Sequence, residues 1–226
     1  MVSQSLKRVQ MPGRTIAVGD IHGCAAALEA ILDALQPAAG DTLVTLGDYI
    51  DRGPNSRRVL EVLLQLARSC HLVPLKGNHE LLMLRAIDVP GNMLFWMQSG
   101  GLATLASYGG LSEIPPEHID FVRECVDYYE TATHLFVHAN YDPQLPLEQQ
   151  NEYELFWQHL NLLLPAPHCS GKTAIMGHTP QRSGDILDGG HLVCIDTYCF
   201  GSGVLTALDV ASGELWQADK HGKLRN

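Results

Sequence analysis

The sequence predicts an α/β fold, and three observations point there. Short apolar runs rich in β-branched residues alternate with segments of helical periodicity, several runs end in a Gly followed by Asp, Asn or His, and the second half is richest in strand-like runs separated by turn residues. Such alternation is how βαβ units read.

Thr15-Ile16-Ala17-Val18 reads as the first strand, Leu28, Ile31, Leu32 and Leu35 as a helix face, and Thr42 to Leu46 as the second strand. Together they make one βαβ unit. The next helix follows Pro54, a residue suited to a first helical turn, and sets Val59, Val62, Leu63 and Leu66 on one face before a strand at His71 to Leu75. From residue 81 to about 130 the pattern is mainly helical, with turns at Pro90-Gly91-Asn92, Gly100-Gly101, Gly109-Gly110 and Pro115-Pro116. This predicts a helical insert or cap at about 90–130 within a single domain spanning 1–226. Further strands are expected at 134–138, 173–177, 191–196, 203–209 and 213–217, with a helix near 152–164. The last three strands, with turn signals at Asp188-Gly189-Gly190 and Ser212-Gly213, suggest an antiparallel meander.

Composition bounds the function. The chain has 226 residues, 46% of them apolar, enough for one large core or a core with a small cap. A formal charge of −10, from 25 acidic against 15 basic residues, argues against nucleic acid or an anionic membrane as partner. An anionic substrate must then be attracted locally, by metals and a few arginines. Residues 1–14 carry Lys7, Arg8 and Arg14 but no apolar signal core, and no run approaches the roughly 18 apolar residues of a membrane span. A cytoplasmic protein is expected. The six cysteines form no Cys-x-x-Cys pair and read as reduced and mostly buried.

The chemistry lies at the strand ends. Gly19-Asp20-Ile21-His22-Gly23 sets a carboxylate and an imidazole two residues apart, so that both emerge on one side of an extended segment and can chelate one ion. Asp48, after Gly47, has two oxygens and is the natural bridge between ions about 3.5–4 Å apart. Asn78 in Gly77-Asn78-His79-Glu80 offers a neutral oxygen, while His138, after Leu135-Phe136-Val137, and His178, after Gly177, offer ring nitrogens. Singly, each is more often a cap, an Asx turn or a hydrogen-bonded core histidine. Jointly, the recurrence of the same chemistry at successive strand ends favours a two-metal centre. The sulfur-free N and O donors suit two divalent ions, manganese first and iron or zinc next, over calcium or magnesium.

These residues, together with Gly47-Asp48-Tyr49-Ile50-Asp51-Arg52-Gly53, resemble the signature of the phosphoprotein phosphatase family of metallophosphoesterases in its bacterial and phage-like short form. The resemblance covers roughly residues 14 to 210 and implies a calcineurin-like sandwich of two mixed β-sheets flanked by helices. It implies one metal on Asp20, His22 and Asp48, the other on Asp48, Asn78, His138 and His178. It also implies a water, acidified by the metals, attacking phosphorus in line. By the same resemblance His79 protonates the leaving group and Asp51 orients it, while Arg52 offers the planar fork that fits phosphate oxygens.

The match has a gap. Where the family carries a second phosphate-binding Arg near a Trp, this chain reads Phe156-Trp157-Gln158-His159, which places Gln158 at the missing cation and leaves Lys76, Arg182 or His159 as compensating groups. Tyr198, in the altered stretch Ile195-Asp196-Thr197-Tyr198, either reaches the site or packs. Ser170-Gly171-Lys172-Thr173 imitates the end of a phosphate-cradling loop, but the required first Gly is Ala166 and a strand follows instead of preceding it. The function expected is a metal-dependent phosphomonoesterase acting on phosphoserine and phosphothreonine, with phosphotyrosine also in range, in proteins or small phosphoesters. The alternative is a dinucleoside polyphosphate hydrolase of the diadenosine tetraphosphatase type.

Overall fold

A computed structural model describes residues 13–160 and 164–225. Lys7 and Arg8, and residues 161–163 of the helix expected near 152–164, lie outside the described residues. The described residues open with β1 (Thr15–Val18), α1 (Ala25–Leu35), β2 (Thr42–Thr45), α2 (Ser56–Leu66) and β3 (His71–Pro74). The three strands pair in parallel as the two successive βαβ units require. Pro54 precedes α2 with Asn55 between them, so it leads into the helix instead of standing in its first turn.

A helical stretch follows: α3 (Asn78–Asp88), α4 (Met93–Trp96), α5 (Leu102–Tyr108) and α6 (Pro116–Glu124). Here the sequence expectation runs slightly too far, because Tyr128–Glu130 form a strand, β4, paired antiparallel with β5 (His134–Val137). After β5 come the short helix α7 (Glu152–Phe156), then β6 (Thr173–Met176), β7 (Leu187–Asp188), β8 (Leu192–Cys194), β9 (Val204–Asp209) and β10 (Leu215–Asp219). The Asn151 side chain caps α7 by accepting from the N–H groups of Tyr153 and Glu154. The Ser170–Lys172 segment is a turn feeding β6, with Gly171 at φ +71° and the Lys172 ammonium on Glu130.

Among the described residues two five-stranded mixed sheets result, ordered β10-β9-β1-β2-β3 and β4-β5-β6-β8-β7. The expected meander of the last three strands is corrected: β9 and β10 are an antiparallel pair beside β1, whereas β8 lies in the other sheet, parallel to β6. Pattern alone could not separate them, since a short apolar strand reads the same in either sheet.

Alternation along each strand builds the layers. Ile16 and Val18 face α1 and α2, whereas Ala17 faces the opposite sheet. Between the sheets Ala17, Val44, Leu46, Val73 and Leu75 meet Phe136, Ile175 and Ile195. On the outer face of the second sheet Leu135, Val137, Ala174 and Met176 pack with Leu155 and Phe156 of α7. Each fully buried aliphatic or Phe side chain contributes roughly 1.5–3 kcal/mol relative to exposure. Among the described residues no helix is long and apolar enough to cross a membrane. All six cysteines are free thiols, five buried and Cys169 exposed.

Candidate metal centre

The sandwich brings the C-terminal ends of six strands to one crevice. Asp20 and His22 follow β1, Asp48 follows β2, Asn78 begins α3 after β3, His138 follows β5, His178 follows β6 and Asp196 follows β8. Ligand sites at the carboxyl ends of parallel strands are a general outcome of this chain geometry. Every one of these residues is buried, none more than 8% exposed. Close approach is enforced at two glycines, since a Cβ at Gly77 would stand 2.2 Å from Asp48 Oδ1 and one at Gly177 would stand 2.1 Å from Asp20 Oδ1.

Asp48 sits between two clusters of ring nitrogens. Its Oδ2 is 3.3 Å from His22 Nε2 and 4.0 Å from His79 Nε2, and its Oδ1 is 3.5 Å from His138 Nε2. The donor atoms of His22, Asp48 and His79 form one group within 4.8 Å of one another, and those of Asp48, His138 and His178 form a second. Asn78 Oδ1 joins the second group, 3.1 Å from both His138 Nε2 and His178 Nδ1. The far nitrogens are anchored: His22 Nδ1 meets the Ile50 carbonyl at 2.9 Å and His138 Nδ1 the Leu46 carbonyl at 2.7 Å. With the Nδ1–H donating outward, Nε2 is left with its lone pair facing the crevice. Asp20 stands apart from the compact groups, its carboxylate accepting from the His178 N–H at 3.1 Å.

Electrostatics shows what this arrangement fits. Burial raises the Asp20 carboxyl well above its ordinary value, with Asp196 and Asp48 adding repulsion. Asp196 is pushed up to about 7, again chiefly by burial. The His22 and His178 imidazoles are driven down to about 3, burial being the main cause. Asp20, Asp48 and Asp196 buried together, with burial driving the His22, His138 and His178 imidazoles towards their neutral form, is costly packing for a protein alone but suits divalent cations. The residues present therefore fit a pair of metal ions.

Beside the clusters lies an acid–base pair. His79 Nδ1 is 2.7 Å from Asp51 Oδ2, and Asp51 is itself held by Trp96 Nε1 at 3.0 Å and by the Thr104 hydroxyl at 2.6 Å. His79 Nε2 is buried and has no hydrogen-bond partner among the described residues. Burial alone would lower the His79 pKa, but the carboxylates of Asp48 and Asp51 outweigh it and hold the imidazole above its ordinary value. Arg52 projects into the same space, its Nη1 3.3 Å from His22 Nε2. Backbone strain concentrates here: of seven described non-glycine residues with positive φ, His22, Asp48, Asp51, Arg52 and His178 belong to the predicted site.

Comparison with known proteins agrees with this geometry. Residues 13–205 match the family model described as calcineurin-like phosphoesterase. The chain belongs to that family. Among relatives of this calcineurin-like phosphoesterase is serine/threonine-protein phosphatase 1 of Salmonella typhimurium, 30% identical over 84% of this chain and 88% of the relative. A symmetrical bis(5′-nucleosyl)-tetraphosphatase of Coxiella burnetii is 27% identical over 80% of this chain but only 60% of its own length. The crystal structure of a proposed diadenosine tetraphosphatase shares the fold at a TM-score of 0.70 and 24% identity, covering 92% of this chain and 94% of that one.

Within this calcineurin-like phosphoesterase, Gln158 lines a cleft with Asn140, Asp142 and Glu154. The next residue, His159, reaches the centre, its ring stacked on His178 at 4.2 Å. α7 ends at Phe156, and the Trp157 carbonyl just after it lies 3.2 Å from His178 Nε2. Lys76 points elsewhere, to Asp127, and Arg182 lies over the Tyr198 ring. Sequence reasoning also passed over four contributors. Asp196 had a signal, an acidic residue just after a strand, but no preceding glycine. Trp96 and Thr104 had none, because their contact with Asp51 spans 45 and 53 residues. Glu80 was noted only as part of its motif, yet its carboxylate accepts from the N–H groups of Gly77, Asp48 and Tyr49 and so locks the β2 turn onto the start of α3.

Proposed function

We propose that this calcineurin-like phosphoesterase is a metal-dependent phosphomonoesterase that hydrolyses phosphoserine and phosphothreonine in proteins, with phosphotyrosine also in range. The observation that carries the reading is the His79–Asp51 pair beside the Asp48-centred clusters, with His79 Nε2 buried and unpartnered. Asp20, His22 and Asp48 would hold one ion, and Asp48, Asn78, His138 and His178 the other. When bound, such ions neutralise phosphoryl oxygens and acidify water. The chain's own residues do the rest. Arg52 offers two parallel N–H donors to the phosphoryl oxygens. His79, its pKa raised by its carboxylate neighbours, is placed to deliver an Nε2 proton to the departing oxygen while Asp51 fixes the ring. The N and O donor set supports manganese as the native metal, and six free thiols support the cytoplasm.

The second reading, hydrolysis of dinucleoside polyphosphates, is supported by the tetraphosphatase relatives. It stands second because the protein phosphatase relative is the more similar in sequence, 30% identical against 27% for the Coxiella tetraphosphatase. A panel with Mn decides, setting Ser, Thr and Tyr phosphopeptides beside diadenosine tetraphosphate. Higher kcat/KM on the Ser and Thr peptides is expected; preference for the dinucleotide would overturn the first reading.

A further inference from the structure

Phe200 occupies a place that no motif accounts for. It lies in the crossing from β8 to β9, in a tight turn closed by the N–H groups of Gly201 and Gly203 on the Tyr198 carbonyl and by Val204 N–H on the Thr197 carbonyl. The turn is rooted at the centre, since the Tyr198 N–H donates to Asp196 Oδ1 at 3.1 Å. From this base the Phe200 ring lies against the Arg52 guanidinium, whose carbon is 4.8 Å from the ring centroid. The ring also stands edge-on to His22, centroids 4.9 Å apart. Tyr198, at φ +62°, supports it at 4.8 Å.

Arg52 needs such a support. Its backbone is fixed by a left-handed φ and by an N–H donated to the Gly100 carbonyl at 3.2 Å, but the side chain beyond is long and rotatable. Its polar side-chain partner is His22 Nε2, an atom that faces the crevice. With that nitrogen given to a metal, the Phe200 face would be the guanidinium's remaining side-chain support among the described residues. A cation over an aromatic face is attracted by the ring quadrupole, and ordering a side chain before binding removes a cost that binding would otherwise carry.

We propose that Phe200 is a positioning residue for phosphate recognition, its ring holding the Arg52 fork over the crevice before the phosphoester arrives. This rests on the reading of Arg52 as a phosphate ligand, and the experiment separates the two. Tungstate binding by calorimetry, metal content, and kcat and KM on nitrophenyl phosphate are measured at saturating Mn for Phe200→Leu, Phe200→Tyr, Arg52→Ala and the Arg52→Ala/Phe200→Leu double variant. Phe200→Leu, which keeps apolar bulk but loses the π face, should weaken tungstate and raise KM about three- to thirtyfold with kcat and metal content little changed. Phe200→Tyr should retain wild-type values, and Phe200→Leu should add nothing in the Arg52→Ala background. Full additivity in the double variant, or loss of metal in place of weaker tungstate binding, would overturn the proposal. Wild-type tungstate affinity in Arg52→Ala would instead refute the reading of Arg52.

Discussion

A carboxylate shared between two sets of imidazoles supplies charge that an amide of the same shape cannot, and Asp48 stands in that position with His22 on one oxygen and His138 on the other. Asp48→Asn is therefore expected to lose metal and to lower turnover by several orders of magnitude. Metal analysis beside kinetics checks it, and retention of both ions with near-normal turnover would refute the bridge. His79 makes a different claim, because a proton donor matters most when the leaving group is poor. His79→Asn should depress hydrolysis of alkyl phosphates by roughly 10²–10⁴-fold, the range typical of general acids, and nitrophenyl phosphate far less. Equal losses on both substrates would make His79 a binding group. These residues were legible in the sequence because Asp, His and Asn at strand ends announce their chemistry by type. Phe200 was not, since a phenylalanine in a turn looks the same whether it packs or carries an arginine. Nor does sequence choose among the groups that compensate for Gln158, whereas the structure brings one of them, His159, onto the His178 ring.

At the level of elements, β1 to β3 and their two helices could be read because hydrophobic period and turn residues agree along that stretch. The pairing of β8 with β6, and of β9 with β1, could not, because partner choice is decided by packing across the sandwich and leaves no local trace. The same holds for Asp51, whose orientation depends on Trp96 and Thr104 in the helical stretch. Some links between elements are testable through charge. Asp41, just before β2, accepts from Arg14 N–H, Ala38 N–H and the Arg14 guanidinium, so it staples the loop after α1 to the start of β1. Burial pushes its carboxyl up, but the Arg14 and Ala38 hydrogen bonds outweigh burial and hold it below the ordinary carboxylate range. A folded pKa below the unfolded one of about 3.9 means stability present above that pH and lost as pH falls through the folded value. Asp41→Asn should thus cost about 1–2 kcal/mol near neutrality, with the difference closing in acid. Urea unfolding of both proteins across pH measures this, and a cost that persists undiminished at low pH would assign it to packing.

The two sheets meet through the apolar layer around Phe136 and at the crevice of the strand ends. The first sheet and the helix that follows β3 bring Asp20, His22, Asp48 and Asn78; the second sheet brings His138 and His178. A metal pair bound as proposed would fasten the two halves at the rim opposite no other cross-link, since the cysteines are all free. A ligand that binds only the folded state stabilises it by RT ln(1 + [L]/Kd), about 2.7 kcal/mol at a hundredfold excess over Kd. For a chain of this size that corresponds to a rise in Tm of roughly 5–11 °C. Mn should therefore raise the Tm of the wild type by that order, and a chelator should reverse it. Because the Asp48-centred clusters draw on both sheets, His178→Ala from the second sheet should erase most of the rise, as should Asp48→Asn from the first. A full Mn-dependent rise in His178→Ala would show that His178 adds nothing to metal affinity, and the second ion would then have to be held by Asp48, Asn78 and His138 without it.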